Sequence, residues 1–327
     1  MKLFINFLRY IFGLSFLTLS TFTFAQCPTG FPNKPINLIV PFSAGGTSDI
    51  VARLMAKKLS EQMGKPWVVE NKPGGGASIG GLAVVKAAPD GYTLLLGAAG
   101  PLTMSPHITS LPYNIQTQLL PLALVTEVPN LIAVNNSVPV NNLSELIKLA
   151  QNSKPPLTYG SAGIGSTANF AGEYFKSLTK SDVTHVPYKG TSAAVTDLVG
   201  KQITFVIDNL PGLLPQVKNG SIKAIALASS QRSPELPNTP TATEAGLKGF
   251  IVTGWFGFLA PANTPNAIAN CLTENIIKAA QDPETSKSLE DAGNYVRIKG
   301  SKDFARYIEE ESNKWKLIAE KANIKSE

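Results

Sequence analysis

A glycine-rich turn between a strand and a helix is the first feature of the chain that could bind a ligand. The segment IVPFSAGGTSDIVARLMAKKL, residues 39–59, runs from an apolar strand through residues 43–46 into apolar residues at helical spacing. Amide groups at a helix start have no intrahelical acceptor and lie at the positive end of the helix dipole, so such a turn can bind an anion. The turn alone leaves three anions open: a phosphate, a dinucleotide or a carboxylate.

A second glycine loop follows another predicted strand and precedes another predicted helix. Residues 163–168 read Gly-Ile-Gly-Ser-Thr-Ala and fit the GxGxxA pattern of dinucleotide sites, with Asp182 about 20 residues further on. Asp182, however, begins its strand, whereas a ribose-binding acid belongs at a strand end. The first loop also lacks the lysine of a phosphate-binding P-loop. An enzyme that uses a nucleotide is therefore the weaker hypothesis.

The two loops together favour a carboxylate. Each follows the carboxyl end of a strand, where α/β proteins bind ligands, and neither contains Lys or Arg. Hydroxyl donors accompany the amides at Ser43, Thr47, Ser161, Ser166 and Thr167. Because charge-assisted bonds from neutral donors hold carboxylates well, two such loops facing each other would suit a dicarboxylate.

Four further polar residues are candidates for the same pocket. Asp49 lies in the first turn of its helix, where it complements the dipole or also shapes the pocket. Asp208 ends an apolar strand and could accept a hydrogen bond from a ligand amine or hydroxyl, or cap the following turn. Tyr188 could supply an apolar wall with a polar tip, and Lys189 is expected to be solvated.

The N-terminal residues predict export. Lys2 and Arg9 precede an apolar run over residues 10–24, and Thr23 and Ala25 are the small residues of a cleavage site. The run of about 15 residues is shorter than the ~20 that span a bilayer. We expect a signal peptide over residues 1–25, cleaved after Ala25, and a periplasmic protein; an uncleaved anchor is the alternative.

Composition narrows the function further. The 327 residues carry a net charge of +6, but the basic residues are scattered and no basic run contains aromatic residues, so nucleic acid is not the expected partner. The only histidines, His107 and His185, are far apart, and no CxxC occurs, so neither a metal site nor a Ser/His/acid set is discernible. An oxidising compartment permits a disulfide between Cys27 and Cys271, with two free thiols as the alternative.

Strands that alternate with helices predict parallel βαβ units and an α/β fold, and the length suggests two domains. A second module begins near residues 125–134. The aromatic segment 252–259 is interpreted as core or hinge packing.

The chain resembles the Bordetella uptake gene (Bug) family, the periplasmic substrate-binding proteins of tripartite tricarboxylate transporters. The resemblance extends in order over essentially all of the mature chain. The motifs that carry it are Lys34-Pro35-Ile36, PFSAGGTSD at 41–49, VENKPG at 69–74, PDGYTL at 89–94, YGSAG at 159–163, HVPYKG at 185–190 and Ala260-Pro261.

This resemblance implies a type II periplasmic-binding-protein fold, with two α/β domains and a ligand cleft between them. The expected domains are residues 26–125 with 253–327, and residues 126–252. It also implies that two loops clasp a carboxylate while Asp208 stands near the distal end of the ligand. The residues of the first loop are Phe42, Ala44, Gly45, Gly46 and Asp49, and those of the second are Ser161, Gly165, Ser166 and Thr167.

We therefore expect a monomeric periplasmic solute-binding protein that captures a di- or tricarboxylate or a related organic acid by hinge closure. Its partners would be the integral membrane subunits of a tripartite tricarboxylate-type transporter, and it would need no cofactor. Two alternatives stay open. One is an extracytoplasmic sensor that partners a membrane signalling protein, and the other is an exported nucleotide-dependent enzyme. The sequence does not name the ligand.

Overall fold

The computed structural model describes residues 27–325, in which β-strands and α-helices alternate. The predicted signal peptide lies outside these residues. The strands are β1 (Ile36–Val40), β2 (Trp67–Asn71), β3 (Thr93–Ala98), β4 (Leu119–Asn135), β5 (Leu157–Ser161), β6 (Val183–Pro187), β7 (Phe205–Asn209), β8 (Ile222–Leu227), β9 (Thr253–Pro261) and β10 (Tyr295–Gly300). The helices are α1 (Thr47–Met63), α2 (Ser78–Val85), α3 (Ile115–Gln118), α4 (Leu143–Asn152), α5 (Thr167–Thr179), α6 (Thr191–Val199), α7 (Leu210–Lys218), α8 (Asn266–Gln281), α9 (Pro283–Asp291) and α10 (Ser301–Ala322).

One long strand, β4, connects two sides of a sheet. The strand order is β2-β1-β3-β9-β4-β7-β5-β6, and β8 and β10 also pair with β4. Residues 119–129 of β4 pair with β9, and residues 130–135 pair with β7 and β8. We call the side that contains β1–β3, β9 and β10 the first lobe, and the side that contains β5–β8 the second lobe.

Parallel pairing within each lobe directs the glycine loops toward the same region. In the first lobe β1 is parallel to β2 and β3, and in the second lobe β5 is parallel to β6 and β7. The loop at residues 41–46 follows β1, and the loop at residues 162–166 follows β5. This arrangement confirms the predicted α/β class and brings the two loops to the junction of the lobes.

Apolar residues fill the space between sheet and helices. Trp255 on β9 is fully buried and packs edge-on against Phe304 of α10, with ring centroids 5.4 Å apart. Phe258 is also fully buried and contacts Trp67 on β2. The core interpretation of these two aromatic residues is therefore confirmed. Within residues 27–325, no helix has the length and apolarity needed to cross a bilayer.

A disulfide ties the start of the described chain to α8. It joins Cys27 to Cys271, which are 244 residues apart in the sequence, and Cys271 is fully buried. The predicted bridge is thus present. Because it closes a long loop, it restricts the unfolded chain strongly.

Reduction of this disulfide is expected to lower the free energy of unfolding by about 2–5 kcal/mol, since the unfolded chain gains conformational freedom. Urea unfolding with and without reductant measures the change. The double variant Cys27→Ala/Cys271→Ala is the control, because its stability should not respond to reductant. Equal unfolding midpoints for the oxidised and reduced wild-type protein would contradict the expectation.

Candidate ligand-binding site

A narrow cavity lies between the lobes where the glycine loops meet. The first lobe lines it with Phe42, Gly46, Thr47, Ser48, Ala98 and Phe256, and the second lobe with Ala162, Ser166, Thr167, Ala168, Thr191, Asp208 and Asn209. Its volume in this closed arrangement is about 20 Å³, which is room for roughly one water molecule. The cavity in this arrangement is thus smaller than an organic acid.

Four helices begin at this cavity. They are α1 at Thr47, α5 at Thr167, α6 at Thr191 and α7 at Leu210. No N-cap side chain bonds the first turn of α1, α6 or α7, although the Gly212 amide in the first turn of α7 donates to Thr47 Oγ1 of the first lobe. Each helix start carries amides without intrahelical acceptors and about half a positive charge from the dipole. The dipoles would favour an anion at these helix starts, whereas the Asp208 carboxyl in the same lining opposes it when charged.

The lining contains neither lysine nor arginine. Lys189 is exposed, as expected, and the polar contact that it makes across the cleft is through its backbone carbonyl. Asp208 is the only ionisable side chain in the lining. An anion in this cavity would thus be held by neutral donors.

Hydrogen bonds across the cleft hold the lobes together in the closed arrangement. They join the Ser43 amide and hydroxyl to the Lys189 carbonyl at 3.2 and 3.1 Å, the Ser192 hydroxyl to the Ala44 carbonyl at 3.0 Å, the Gly212 amide to Thr47 Oγ1 at 3.0 Å, and the Gly100 amide to Thr167 Oγ1 at 3.2 Å. Thr47 and Thr167 therefore both line the cavity and stabilise closure. Ala44 and Gly45 are exposed at its mouth.

Asp49 lies outside the lining and fixes the first loop. Its Oδ2 accepts hydrogen bonds from the Gly45 amide and Arg53 Nε, both at 2.9 Å, and its Oδ1 accepts one from Asn71 Nδ2 at 3.0 Å. Burial raises the pKa of Asp49, but the bonds from Arg53, Gly45 and Asn71 outweigh it and leave this pKa below its ordinary value. Gly45 adopts a φ of +79°, which favours glycine at the turn.

Ser161 and Gly165 support the second loop from outside the cavity. The Ser161 hydroxyl is fully buried, lies 2.6 Å from His185 Nε2 and accepts a hydrogen bond from the Gly163 amide. The Gly165 amide donates to Asn169 Oδ1 at 3.0 Å. The fold thus brings together a serine and a histidine that are 24 positions apart in the sequence.

Tyr188 lines a wider neighbouring groove rather than the cavity. Its hydroxyl donates to Asp197 Oδ2 at 2.6 Å, and burial together with this carboxylate raises the pKa of Tyr188 to about 12. The groove also contains residues 74–78 of the first lobe and residues 162–164 of the second. It opens beside the mouth of the cavity.

Asp208 lines the cavity and has an incompletely paired carboxyl group. Only 1% of the residue is exposed, its Oδ1 accepts from the Asn209 amide at 2.7 Å, and its Oδ2 has no hydrogen-bond partner among residues 27–325. Burial raises the pKa of Asp208 to about 6, against the opposing effect of the Asn209 amide and the Thr191 hydroxyl. Asp49 and Asp208 are thus opposite cases.

Sequence reasoning missed several lining residues. Thr191 and Asn209 belong to strand–loop–helix units like the two glycine loops, but no glycine pair marks the end of their strands. That repeated unit is the signal that could have identified them. Phe256, interpreted as core or hinge packing, is buried and also lines the cavity.

The two acids predict opposite effects of neutral substitution. Asp208 retains its proton to about pH 6 in the folded chain, whereas its ordinary pKa is 3.8, so its contribution to stability falls as the pH rises from about 4 to 6. Above pH 6 the cost is complete, at roughly 1–3 kcal/mol. Asp208→Asn should remove this cost and raise the free energy of unfolding at pH 7.5, with a smaller gain at pH 4.5.

Asp49→Asn is the matched substitution and should lower the free energy of unfolding at pH 7.5 by about 1–3 kcal/mol, because it weakens hydrogen bonds to a charged group. Urea unfolding at the two pH values measures both variants. If Asp208→Asn destabilises the protein as much as Asp49→Asn does, the charge of Asp208 does not lower the free energy of unfolding.

Comparison with known proteins identifies the family. Residues 51–324 match the family described as "Tripartite tricarboxylate transporter family receptor". Among solved structures, the periplasmic binding protein BugD is 32% identical with a TM-score of 0.86, and the match covers 91% of this chain and 100% of BugD. R. palustris Rpa4515 with adipate is 32% identical, with a TM-score of 0.86 and coverage of 90% and 98%.

A third solved structure, MatC from Rhodopseudomonas palustris with bound malate, is 32% identical with a TM-score of 0.83 and coverage of 88% and 99%. These matches confirm the predicted periplasmic-binding-protein fold and the resemblance to Bug proteins. They group the chain with transport receptors rather than enzymes. With most of its length matched, the chain belongs to the family of tripartite tricarboxylate transporter receptors.

Proposed function

We propose that this chain binds a small organic carboxylate between its lobes and presents it to the integral membrane subunits of a tripartite tricarboxylate-type transporter. The observation that carries the proposal is the convergence of four helix N-termini on a cavity without lysine or arginine. Adipate and malate accompany two related structures. A di- or tricarboxylate, or a related organic acid, is the substrate class that fits these donors.

The close approach of the two lobes at the second loop disfavours a dinucleotide there. Gly100 of the first lobe lies so close to this loop that a Cβ on it would be 2.5 Å from the Thr167 amide nitrogen. In this arrangement of the lobes the start of α5 has no room for a pyrophosphate. Asp182 is exposed and directly precedes β6, where a ribose could not reach it from the cavity.

The residues that line the cavity are the proposed ligand contacts: Phe42, Gly46, Ser166, Thr167 and Asp208 from the expected set, with Thr191 and Asn209 added. The remaining expected residues act around them. Asp49, Ser161 and Gly165 hold the loops, Ala44 and Gly45 form the mouth, and Tyr188 belongs to the groove.

Hinge closure between two domains is part of the proposal. We assign residues 26–125 with 253–327 to one domain and residues 126–252 to the other. The change of partner along β4 at residues 129–130, and the start of β9 at Thr253, support two chain crossings near these boundaries. Bending at the two crossings would open the cleft.

Export with cleavage after Ala25 is the proposed route to the periplasm. The disulfide begins at Cys27, two residues beyond the proposed cleavage site, and such a bridge forms in an oxidising compartment.

Calorimetric titration with succinate, malate and adipate, each compared with its diamide, tests the carboxylate proposal. Charge-assisted hydrogen bonds contribute roughly 1.5–3 kcal/mol each, so the diamide should bind at least about tenfold more weakly. Raising the salt to about 0.5 M should change affinity little, because the closed cleft is poorly screened. Lys189→Ala is the control and should retain affinity.

Two results would contradict the proposal. One is a diamide that binds as well as its acid, and the other is loss of binding in Lys189→Ala together with tolerance of substitutions in the lining.

Gly76→Ala tests whether closure is needed for binding. A Cβ on Gly76 would collide with the backbone carbonyl oxygen of Ile164 across the cleft, so the substitution should hinder the approach of the two lobes. Affinity for the tightest of the three acids should fall by about tenfold or more, equivalent to about 1.4 kcal/mol.

Gly64→Ala is the matched control, because Gly64 has a similar positive φ of +66° but nothing within 4 Å of its added Cβ. Both variants carry similar backbone strain, so a difference in affinity between them reports the contact with Ile164. Equal affinities in Gly76→Ala and Gly64→Ala would show that the Gly76–Ile164 contact plays no part in binding.

A further inference from the structure

Two consecutive residues of the cavity lining each carry a buried hydrogen-bond acceptor without a partner. Asp208 Oδ2 and Asn209 Oδ1 are both buried, and neither has a hydrogen-bond partner among the residues that the structure describes. Asp208 itself is 1% exposed. Both belong to the end of β7, directly before α7.

The surroundings explain why the protein does not satisfy these oxygens. The Asn209 side chain packs against Gly254 of β9, where an added Cβ would collide with its Oδ1. No lysine, arginine or histidine lines the cavity with Asp208, and Asp208 forms no ion pair within residues 27–325. A buried acceptor without a donor is unfavourable, and a buried carboxylate without one is more so.

We infer that the ligand supplies the missing hydrogen-bond partner of Asp208. It carries a donor, a hydroxyl or an ammonium, that binds Asp208, while the helix N-termini hold its carboxylate. The inference rests on the proposed function and narrows its substrate class to hydroxy and amino acids. Asp208 is then the residue that distinguishes these ligands from unsubstituted acids of the same length.

The protonation of Asp208 agrees with this assignment. Its pKa of about 6 leaves the carboxyl mainly charged at neutral pH, when it accepts and does not donate. The elements that form the cavity contribute no other titratable side chain to its lining, and Asp49 on α1 is paired with Arg53 outside it. A second ligand carboxylate next to Asp208 would be repelled in this state.

Family membership leaves the choice open. Malate carries a hydroxyl beside its carboxylates, whereas adipate has none, and both accompany related structures. Whether this chain prefers substituted or unsubstituted acids therefore depends on its own residues around Asp208.

The test is a calorimetric comparison of acids that share a carbon skeleton. The series are propionate, lactate and alanine; succinate, malate and aspartate; glutarate, 2-hydroxyglutarate and glutamate; and adipate with 2-aminoadipate. At the length that binds most tightly, we expect the hydroxy or amino acid to bind at least tenfold more tightly than the unsubstituted acid. Its affinity should decline as the pH falls below about 6.

Asp208→Asn should reduce this preference at least fivefold, because a hydrogen bond to a neutral amide is weaker than one to a charged carboxylate. Asp182→Asn is the control, because Asp182 is exposed and far from the lining, and it should keep the wild-type preference. The comparison between the substituted and unsubstituted acid within one variant is independent of any change in overall stability.

Two outcomes overturn the inference while carboxylate binding itself stands. One is equal or tighter binding of the unsubstituted acid, and the other is binding that tightens toward low pH and survives Asp208→Asn, as a protonated Asp208 donating to a second carboxylate would give. If no acid of any series binds, the proposed function fails and the inference fails with it.

Discussion

The pairing of β4 with both lobes is the constraint on which the rest of the structure depends. Its 17 residues form hydrogen bonds to β9 and β10 along the first part and to β7 and β8 along the second. The parallel strands of both lobes therefore end near one junction, and the helices that follow four of them begin there. The convergence of helix N-termini on the cavity is a consequence of topology, and among the described residues no cationic side chain contributes to its lining.

Two buried aspartates, Asp49 and Asp208, lie in opposite electrostatic environments. Asp49 receives three hydrogen bonds and holds the first loop in its turn, so its charge favours folding. Asp208 is assisted by the Asn209 amide and the Thr191 hydroxyl, but its Oδ2 has no hydrogen-bond partner within residues 27–325 and burial dominates, so its charge opposes folding. A protein that tolerates such a cost in its cavity does so most readily where a ligand removes it. The contrast separates the two roles better than burial does, because both residues are buried.

Local sequence signals predicted what local chemistry determines. Residue types and spacing were enough to predict the glycine loops, the alternation of strands and helices, and the disulfide. Other features depend on distances between strands, which the sequence does not encode in any short pattern. These are the pairing of Ser161 with His185, the hydrogen bond from Gly45 to Asp49, and the positions of Thr191 and Asn209 in the lining. Asp208 was identifiable as a strand-end acid, but its unpaired oxygen appears only once its neighbours are placed. Tyr188 lines the groove, and its hydroxyl is oriented by a hydrogen bond to Asp197 on α6, the helix that follows it.

The two lobes contribute unequally to the cavity, and under the proposed hinge closure this inequality sets the order of events in binding. The second lobe supplies the starts of α5, α6 and α7 together with Asp208, whereas the first supplies only the start of α1. An acid that enters an open cleft therefore meets most of its donors on the second lobe. Closure then adds α1 and the hydrogen bonds that cross the cleft through Ser43, Thr47 and Ser192. Because these bonds form between protein groups and not through the ligand, their loss on opening leaves the acid held by one lobe with neutral donors, from which it can dissociate.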